Sequence, residues 1–270
     1  MENDARTASA VSVKSDTLYS VFLNREVLID IYFPPLTDYN NLSLLLINDG
    51  QDLPLMLFAD ILSDLYNNDC VEPLICIGIH CGTDRKNEYG TEHQLNYKGQ
   101  GAKAGQYTQF VVHELLPFLK KAYNILTFKD KSFAGFSLGG LSALDIVINH
   151  PDEFINAGVF SGSLWWRSRS YGRDYNDDTD RIMHAQVRHS PAVYPELSFY
   201  FECGALDELA DRNNNGIIDS IDDTLDIIKE LKIKGYADEV IRYVELSDGM
   251  HNVATWAGAF PDYLQWRWGK

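Results

Sequence analysis

KSFAGFSLGGLSALDIVIN, residues 131–149, decides the fold of this chain. Lys131–Ala134 reads as a short strand. Gly135–Phe136–Ser137–Leu138–Gly139 spells G-x-S-x-G, and Leu138–Asn149 reads as a helix. A serine at such a strand–turn–helix junction sits in strained backbone geometry, and the glycines remove side chains that would collide in the turn. Its hydroxyl then projects from the sheet edge, while the helix N-terminus favours negative charge developing beside it.

Working outward, the same alternation recurs. Thr17–Leu23 and Val27–Phe33 are β-rich and joined by Asn24–Arg25–Glu26, a hairpin pattern stopped by Pro34–Pro35. Leu42–Asn48 and Leu74–His80 are continuous apolar runs, as strands buried on both faces require. Ala157–Phe160, Leu197–Cys203 and Val240–Leu246 complete the strands. Leu55–Tyr66, Ala104–Tyr123, Ile221–Lys232 and Asn252–Trp268 have helical character. A leading hairpin followed by alternating strands and helices predicts an α/β-hydrolase-type domain. Its mostly parallel sheet would have about eight strands, with helices on both faces. With no linker or repeat, one domain over 17–270 is expected, preceded by a flexible arm at 1–16.

The 270 residues are 45% hydrophobic and 23% charged, which excludes disordered and fibrous classes. Net charge is −16, so nucleic acid and anionic membrane surfaces are not expected partners, and no basic pocket for anionic substrates is evident. No apolar stretch is long enough to span a bilayer. Residues 1–16 contain no apolar signal segment, so the compartment expected from the sequence as written is cytoplasmic, or periplasmic or secreted if a leader is removed. Cys70, Cys76, Cys81 and Cys203 have no metal-ligand spacing and read as buried free thiols. The sequence is silent on oligomeric state.

A nucleophilic serine needs a base, and in α/β hydrolases the order along the chain is Ser, acid, His. That order removes His80, His93 and His113. His150 ends a helix, and His184 and His189 lie in a polar stretch that reads as surface. His251 follows the last strand in a Gly-containing loop, where the fold places the base. Leu138, next after the serine, supplies one oxyanion N–H.

The elbow GFSLGG, HPDEF (His150–Phe154), SGSLWW (Ser161–Trp166), IDIYFPP (Ile29–Pro35), INDGQD (Ile47–Asp52) and the terminal His251–Trp256 spacing resemble the putative-esterase family. That family includes esterase D and the feruloyl, acetyl-xylan and enterochelin esterases. The resemblance spans about residues 17–269 and implies a serine carboxylic-ester hydrolase working through an acyl-enzyme, without a catalytic cofactor. It implies Asp207 as the acid, with Glu208 the rival, and Gln51 as the second oxyanion N–H, with Asp52 the alternative. It also points to Arg85, Glu88 and Tyr89 as a loop-fixing or substrate-binding group; Trp165 and Trp166 follow the Ala157–Phe160 strand at the active-site edge, where one of them is expected to line an acyl or alcohol pocket and packing is the alternative. The substrate class is a small-molecule or carbohydrate-linked ester. An acyltransferase with the same triad, or an inactive binding module, are the alternatives.

Asp211–Asp222 (DRNNNGIIDSID) fits a calcium-loop pattern. Oxygen ligands fall at Asp211, Asn213, Asn215, Asp219 and Asp222, the Ile217 carbonyl fills the seventh position, and Gly216 makes the sharp turn. A structural Ca²⁺, outside the chemistry, is the expectation.

Overall fold

A computed structural model describes residues 11–270. Eight strands form one sheet: β1 (Ser12–Ser20), β2 (Arg25–Phe33), β3 (Ser43–Asn48), β4 (Leu74–Ile79), β5 (Lys131–Phe136), β6 (Asn156–Phe160), β7 (Ser198–Leu206) and β8 (Ile241–Met250). Their order is β1-β2-β4-β3-β5-β6-β7-β8. The pairings β1·β2 and β2·β4 are antiparallel, and every other pairing is parallel. This is an α/β-hydrolase sheet, with β5 and its serine turn at the centre.

Strand periodicity divides the core into two layers. Leu44 and Leu46 of β3 face one side with Leu141, Leu144 and Ile227, under the helices Leu138–Asn149 and Asp219–Lys234. Leu45 and Ile47 face the other side with Phe58, Phe260 and Tyr263, under Phe58–Asn67 and Val253–Trp268. All four β3 side chains are fully buried, each stabilising by about 1.5–3 kcal/mol relative to exposure. Both faces are covered, which is why the run carries no polar alternation.

The 104–122 helix widens into a π turn over Phe110–Leu115 before Leu116–Ala122. The five-residue step from the Phe110–Val111 pair to Leu115–Leu116 already departs from helical spacing. Pro117, at the start of the last segment, has no N–H to bond backwards.

Four expectations need correction. β1 begins at Ser12, so residues 12–16 form an edge strand and not an arm; residues 1–10 lie outside the described structure. Its side chains are mostly exposed, and it is held by pairing from Ser12↔Phe33 to Ser20↔Arg25 and by Tyr123 Oη donating to Asp16 at 2.9 Å. Backbone pairing of a polar edge leaves no hydrophobic signature. The hairpin turn falls at 21–24, where Glu114 accepts from Ser20 Oγ at 2.5 Å and Val21 N at 2.9 Å. His184 is buried, not on the surface, with Nε2 2.8 Å from the Asp223 carbonyl. All four cysteines are free, but only Cys76 and Cys203 are buried.

Candidate active site

Ser137 sits at φ 53°, ψ −121°, between β5 and its helix. Non-glycine residues adopt such a conformation at about 1–3 kcal/mol, and only where the surroundings hold them. The surroundings are visible. Ser137 N donates to the Phe160 carbonyl at 2.8 Å, and Ser163 N donates to the Ser137 carbonyl at 3.0 Å. A Cβ on Gly135 would lie 2.5 Å from the Gly139 backbone, so the sharp turn admits no side chain there.

The loop after β3 closes over this turn. Asp49 adopts φ 61° and opens the short helical turn Gly50–Asp52. Asn48 donates from Nδ2 to the Gly139 carbonyl at 2.8 Å and accepts from Tyr107 Oη at 2.5 Å. Arg85 holds Asp49 bidentately, at 2.7 and 2.6 Å. Tyr89 Oη faces Asp49 N at 3.2 Å, and Glu88 pairs with Arg25 at 2.6 Å. Arg85 and Tyr89 thus fasten the loop, while Glu88 ties its own segment to β2. The N–H groups of Gln51, second in the turn Gly50–Asp52, and of Leu138, first in its helix, are among the N-terminal donors that have no acceptor within their own turn.

β7 and β8 run past the end of the sheet as a two-stranded ribbon. After an irregularity between Gly204 and Leu206, Leu206 pairs with Met250. The residues just beyond this pair are Asp207 and His251. Their carboxylate Oδ2 and imidazole Nδ1 are 4.0 Å apart, with the carboxylate buried and the imidazole half-exposed. At the ribbon's base, a Cβ on Gly204 would meet the Gly249 carbonyl oxygen at 2.4 Å, which sets how closely the strands approach. His251 is held from behind by Asn252, which caps the last helix by accepting from Thr255 N at 3.0 Å, and by the edge of Trp256 at 5.3 Å.

Burial, opposed by Asp207, lowers the His251 pKa; burial raises that of Asp207, against Ser161 and His251. Among the described residues, the ion pair of His251 is with Asp207, and none joins it to Glu208. Burial raises the Glu208 pKa too, and Asp219 and Asp223 are its charged neighbours.

Ser137, Asp207 and His251 line one cavity of about 300 Å³, together with Ser161, Ser163, Trp165 and Glu208. Trp165 is on its wall. Trp166 is not: it is buried against Gly90 and Gly101, and its carbonyl accepts from Ile182 N at 2.9 Å. Of two adjacent aromatics after β6, only one can turn outward.

Two residues escaped the sequence reading. Ser161 Oγ accepts from Trp256 Nε1 at 2.9 Å behind the acid. Glu202, fully within β7, is buried, and burial followed by the Asp207 charge pushes its carboxyl up to about 8. The charged residue inside the apolar run LSFYFEC was the signal available.

In the 211–222 loop, Asp211 accepts from Asn215 N and Gly216 N at 3.1 and 2.9 Å. Asp222 accepts from the Asn213 and Asn215 amides at 2.8 and 2.9 Å. Asp219 is drawn away to Arg212, 3.2 Å from Nη1 and 2.8 Å from its backbone N. Among the described residues, no group of three or more His, Cys, Asp or Glu is gathered as for a metal ion.

A family model described as putative esterase matches residues 20–266. No curated protein matches the chain in sequence. Among solved structures, an enterochelin esterase from Shigella flexneri has a TM-score of 0.72 at 20% identity, covering 96% of this chain and 59% of its own. A ferulic acid esterase has 0.66 at 17%, covering 94% and 96%. A siderophore hydrolase from Aspergillus nidulans has 0.67 at 16%, covering 94% and 95%. The chain thus spans about three fifths of the Shigella enzyme's length, and at these identities the likeness is one of fold. No helix is long and apolar enough to cross a membrane among the described residues.

Proposed function

This chain belongs to the putative esterase family, and from that premise we propose that it hydrolyses small-molecule carboxylic esters through a Ser137–His251–Asp207 triad. Ser137 Oγ attacks the ester carbonyl while His251 Nε2 takes its proton. Negative charge gathers on the carbonyl oxygen, where the N–H groups of Leu138 and Gln51 stabilise it. The tetrahedral intermediate collapses, and His251 returns the proton to the leaving alcohol. Water, deprotonated by His251, then attacks the acyl-enzyme, and the acid product leaves with Ser137 reprotonated. Asp207 accepts from His251 Nδ1–H, fixing the tautomer that leaves Nε2 free; the 4.0 Å separation tightens to hydrogen-bond length in this account when substrate is bound.

The observation that carries this reading is the strained Ser137 facing the same cavity as an imidazole 4.0 Å from a buried carboxylate. A fluorophosphonate probe tests it. Labelling should map to Ser137, and Ser137→Ala should lose both labelling and about 10⁴-fold or more of turnover while remaining folded. Turnover within about tenfold of wild type in that variant would refute it.

A structural Ca²⁺ at residues 211–222 is a separate proposal. Four of its six predicted positions, Asp211, Asn213, Asn215 and Asp222, hydrogen-bond within one loop, and Gly216 at the turn has φ 86°. Binding requires Asp219 to leave Arg212.

A further inference from the structure

A second cavity, of about 270 Å³, adjoins that of Ser137; Trp165 and Glu208 line both. Its other walls include Tyr97, Lys98, Arg167 and Tyr171. Arg167 is unlike the other half-buried arginines. Arg25, Arg85, Arg188, Arg212 and Arg267 are each paired with a carboxylate. Among the described residues, Arg167 has no ion pair, although the chain holds 39 acidic side chains. Its guanidinium lies 3.6 Å from the Tyr171 ring centre, 5.2 Å from that of Tyr97 and 5.7 Å from that of Trp165. Its Nε is buried without a hydrogen-bond partner.

Stacking on rings occupies the faces of a guanidinium and leaves its N–H edges free, and those edges match a carboxylate bidentately. A buried donor left unmade is unfavourable, and it is informative in a chain so rich in acceptors. The nearby carboxylates do not reach it. Asp219 is 3.2 Å from Arg212, and among the described residues Glu208 makes no ion pair with Arg167 or Lys98. Lys98, 5.4 Å over Tyr97, adds a second cation without a carboxylate partner. The cavity thus sets two cations, Arg167 and Lys98, beside two carboxylates, Glu208 and Asp219, and only Asp219 of these carboxylates is engaged by an arginine, Arg212.

We propose that this pocket receives a carboxylate borne on a flat, aromatic part of the ester substrate, paired with Arg167 and flanked by Trp165 and Tyr97. The proposal rests on the esterase reading of Ser137 and adds its substrate class. The −16 field repels free anions in general, so a local cation is what would let an acidic ester in.

The test compares 4-acetoxybenzoate with its neutral methyl ester, each kcat/KM divided by the ester's spontaneous hydrolysis rate. Wild type should favour the charged ester at least tenfold, the preference should shrink with added salt, and Arg167→Gln should bring the ratio to about one. Arg167→Lys, which keeps the charge, should fall between. Lys98→Gln should lower the ratio without disturbing the Tyr171 stack. Calorimetry of benzoate against Ser137→Ala, with benzamide as the neutral control, reads the pocket without turnover: benzoate should bind, and adding Arg167→Gln should abolish it. A wild-type ratio at or below one, or a ratio unmoved in folded Arg167→Gln, overturns the proposal. If Arg167→Gln does not fold, the wild-type ratio and its salt dependence decide. Probe labelling of Ser137 without charge preference would sink the pocket and keep the serine chemistry. Benzoate binding lost with Arg167, without labelling or hydrolysis, would sink the serine chemistry and keep the pocket.

Discussion

Gly139→Ala should separate the fold from the oxyanion site. A Cβ at this position would lie 2.7 Å from Asp49 Oδ2 and 2.9 Å from Asn48 Cβ, so the loop must retreat by 0.5–0.7 Å to reach an ordinary 3.4 Å contact. It cannot deform residue by residue, because Asp49 is clamped by Arg85 and Asn48 is bonded to Tyr107 and to Gly139 itself. The loop therefore moves as a unit, carrying the Gln51 N–H away from the developing oxyanion. Overpacking of this kind costs about 1–3 kcal/mol of stability. A donor displaced toward 1 Å loses about 10²-fold in kcat, comparable to deleting an oxyanion donor. The expected result is kcat down about 10²-fold with KM within about threefold, since the ground-state carbonyl carries little charge. Urea unfolding and steady-state ester hydrolysis measure the two effects. Gly258→Ala is the control: its Cβ meets nothing within 4 Å on an exposed helical position, and it should gain about 0.5–1 kcal/mol. A folded Gly139→Ala protein with kcat within about threefold of wild type would show that the loop is not the oxyanion device.

Three further outcomes are expected. Asp207→Asn should lower kcat by about 10⁴-fold and Glu208→Gln by less than tenfold; the opposite ranking, from kinetics on the two purified variants, would transfer the acid role to Glu208. Burial, then the charge of Arg181, pushes His184 down to about 3, so it stays neutral in the fold while the unfolded chain takes up a proton below about 6.5. Stability contributed by this group is present above pH 6.5 and lost as pH falls, by about 2 kcal/mol between pH 6 and 4.5; His184→Gln should flatten that slope in urea titrations, and an unchanged slope would rule the group out. Calcium at a hundredfold excess over its Kd should stabilise by about 2.7 kcal/mol and Asp222→Ala should remove the response, whereas melting indifferent to both calcium and chelator would dismiss the ion.

Much of this architecture was legible because it rests on local patterns. The buried runs of β3 and β4 and the G-x-S-x-G turn are each written in consecutive residues, and the observed strand ends, β1 apart, fall within a few positions of those expected. What was not legible depends on partners far along the chain. Ser12–Asp16 is a strand because β2 lies beside it, not because its side chains prefer the state. His184 looks like a surface residue until Asp223, 39 residues away, offers it a carbonyl. Trp165 and Trp166 are indistinguishable in sequence, and only packing against Gly90 and Gly101 decides which turns inward. Arg167 is conspicuous only by its lack of a carboxylate, which no reading of neighbours in sequence could reveal.

The β7–β8 ribbon has a consequence for how this scaffold can be altered. Asp207 and His251 sit at the tips of two paired strands, and their approach is set by the Leu206↔Met250 register. The chain between Glu208 and the helix beginning at Asp219 leaves that register untouched. It is therefore a segment that can be altered around one fixed point: Arg212, paired with Asp177, Asp219 and the buried Asp223, has to stay, and the exposed residues 213–217 are where length and rim chemistry can change while the strands behind Asp207 and His251 do the measuring.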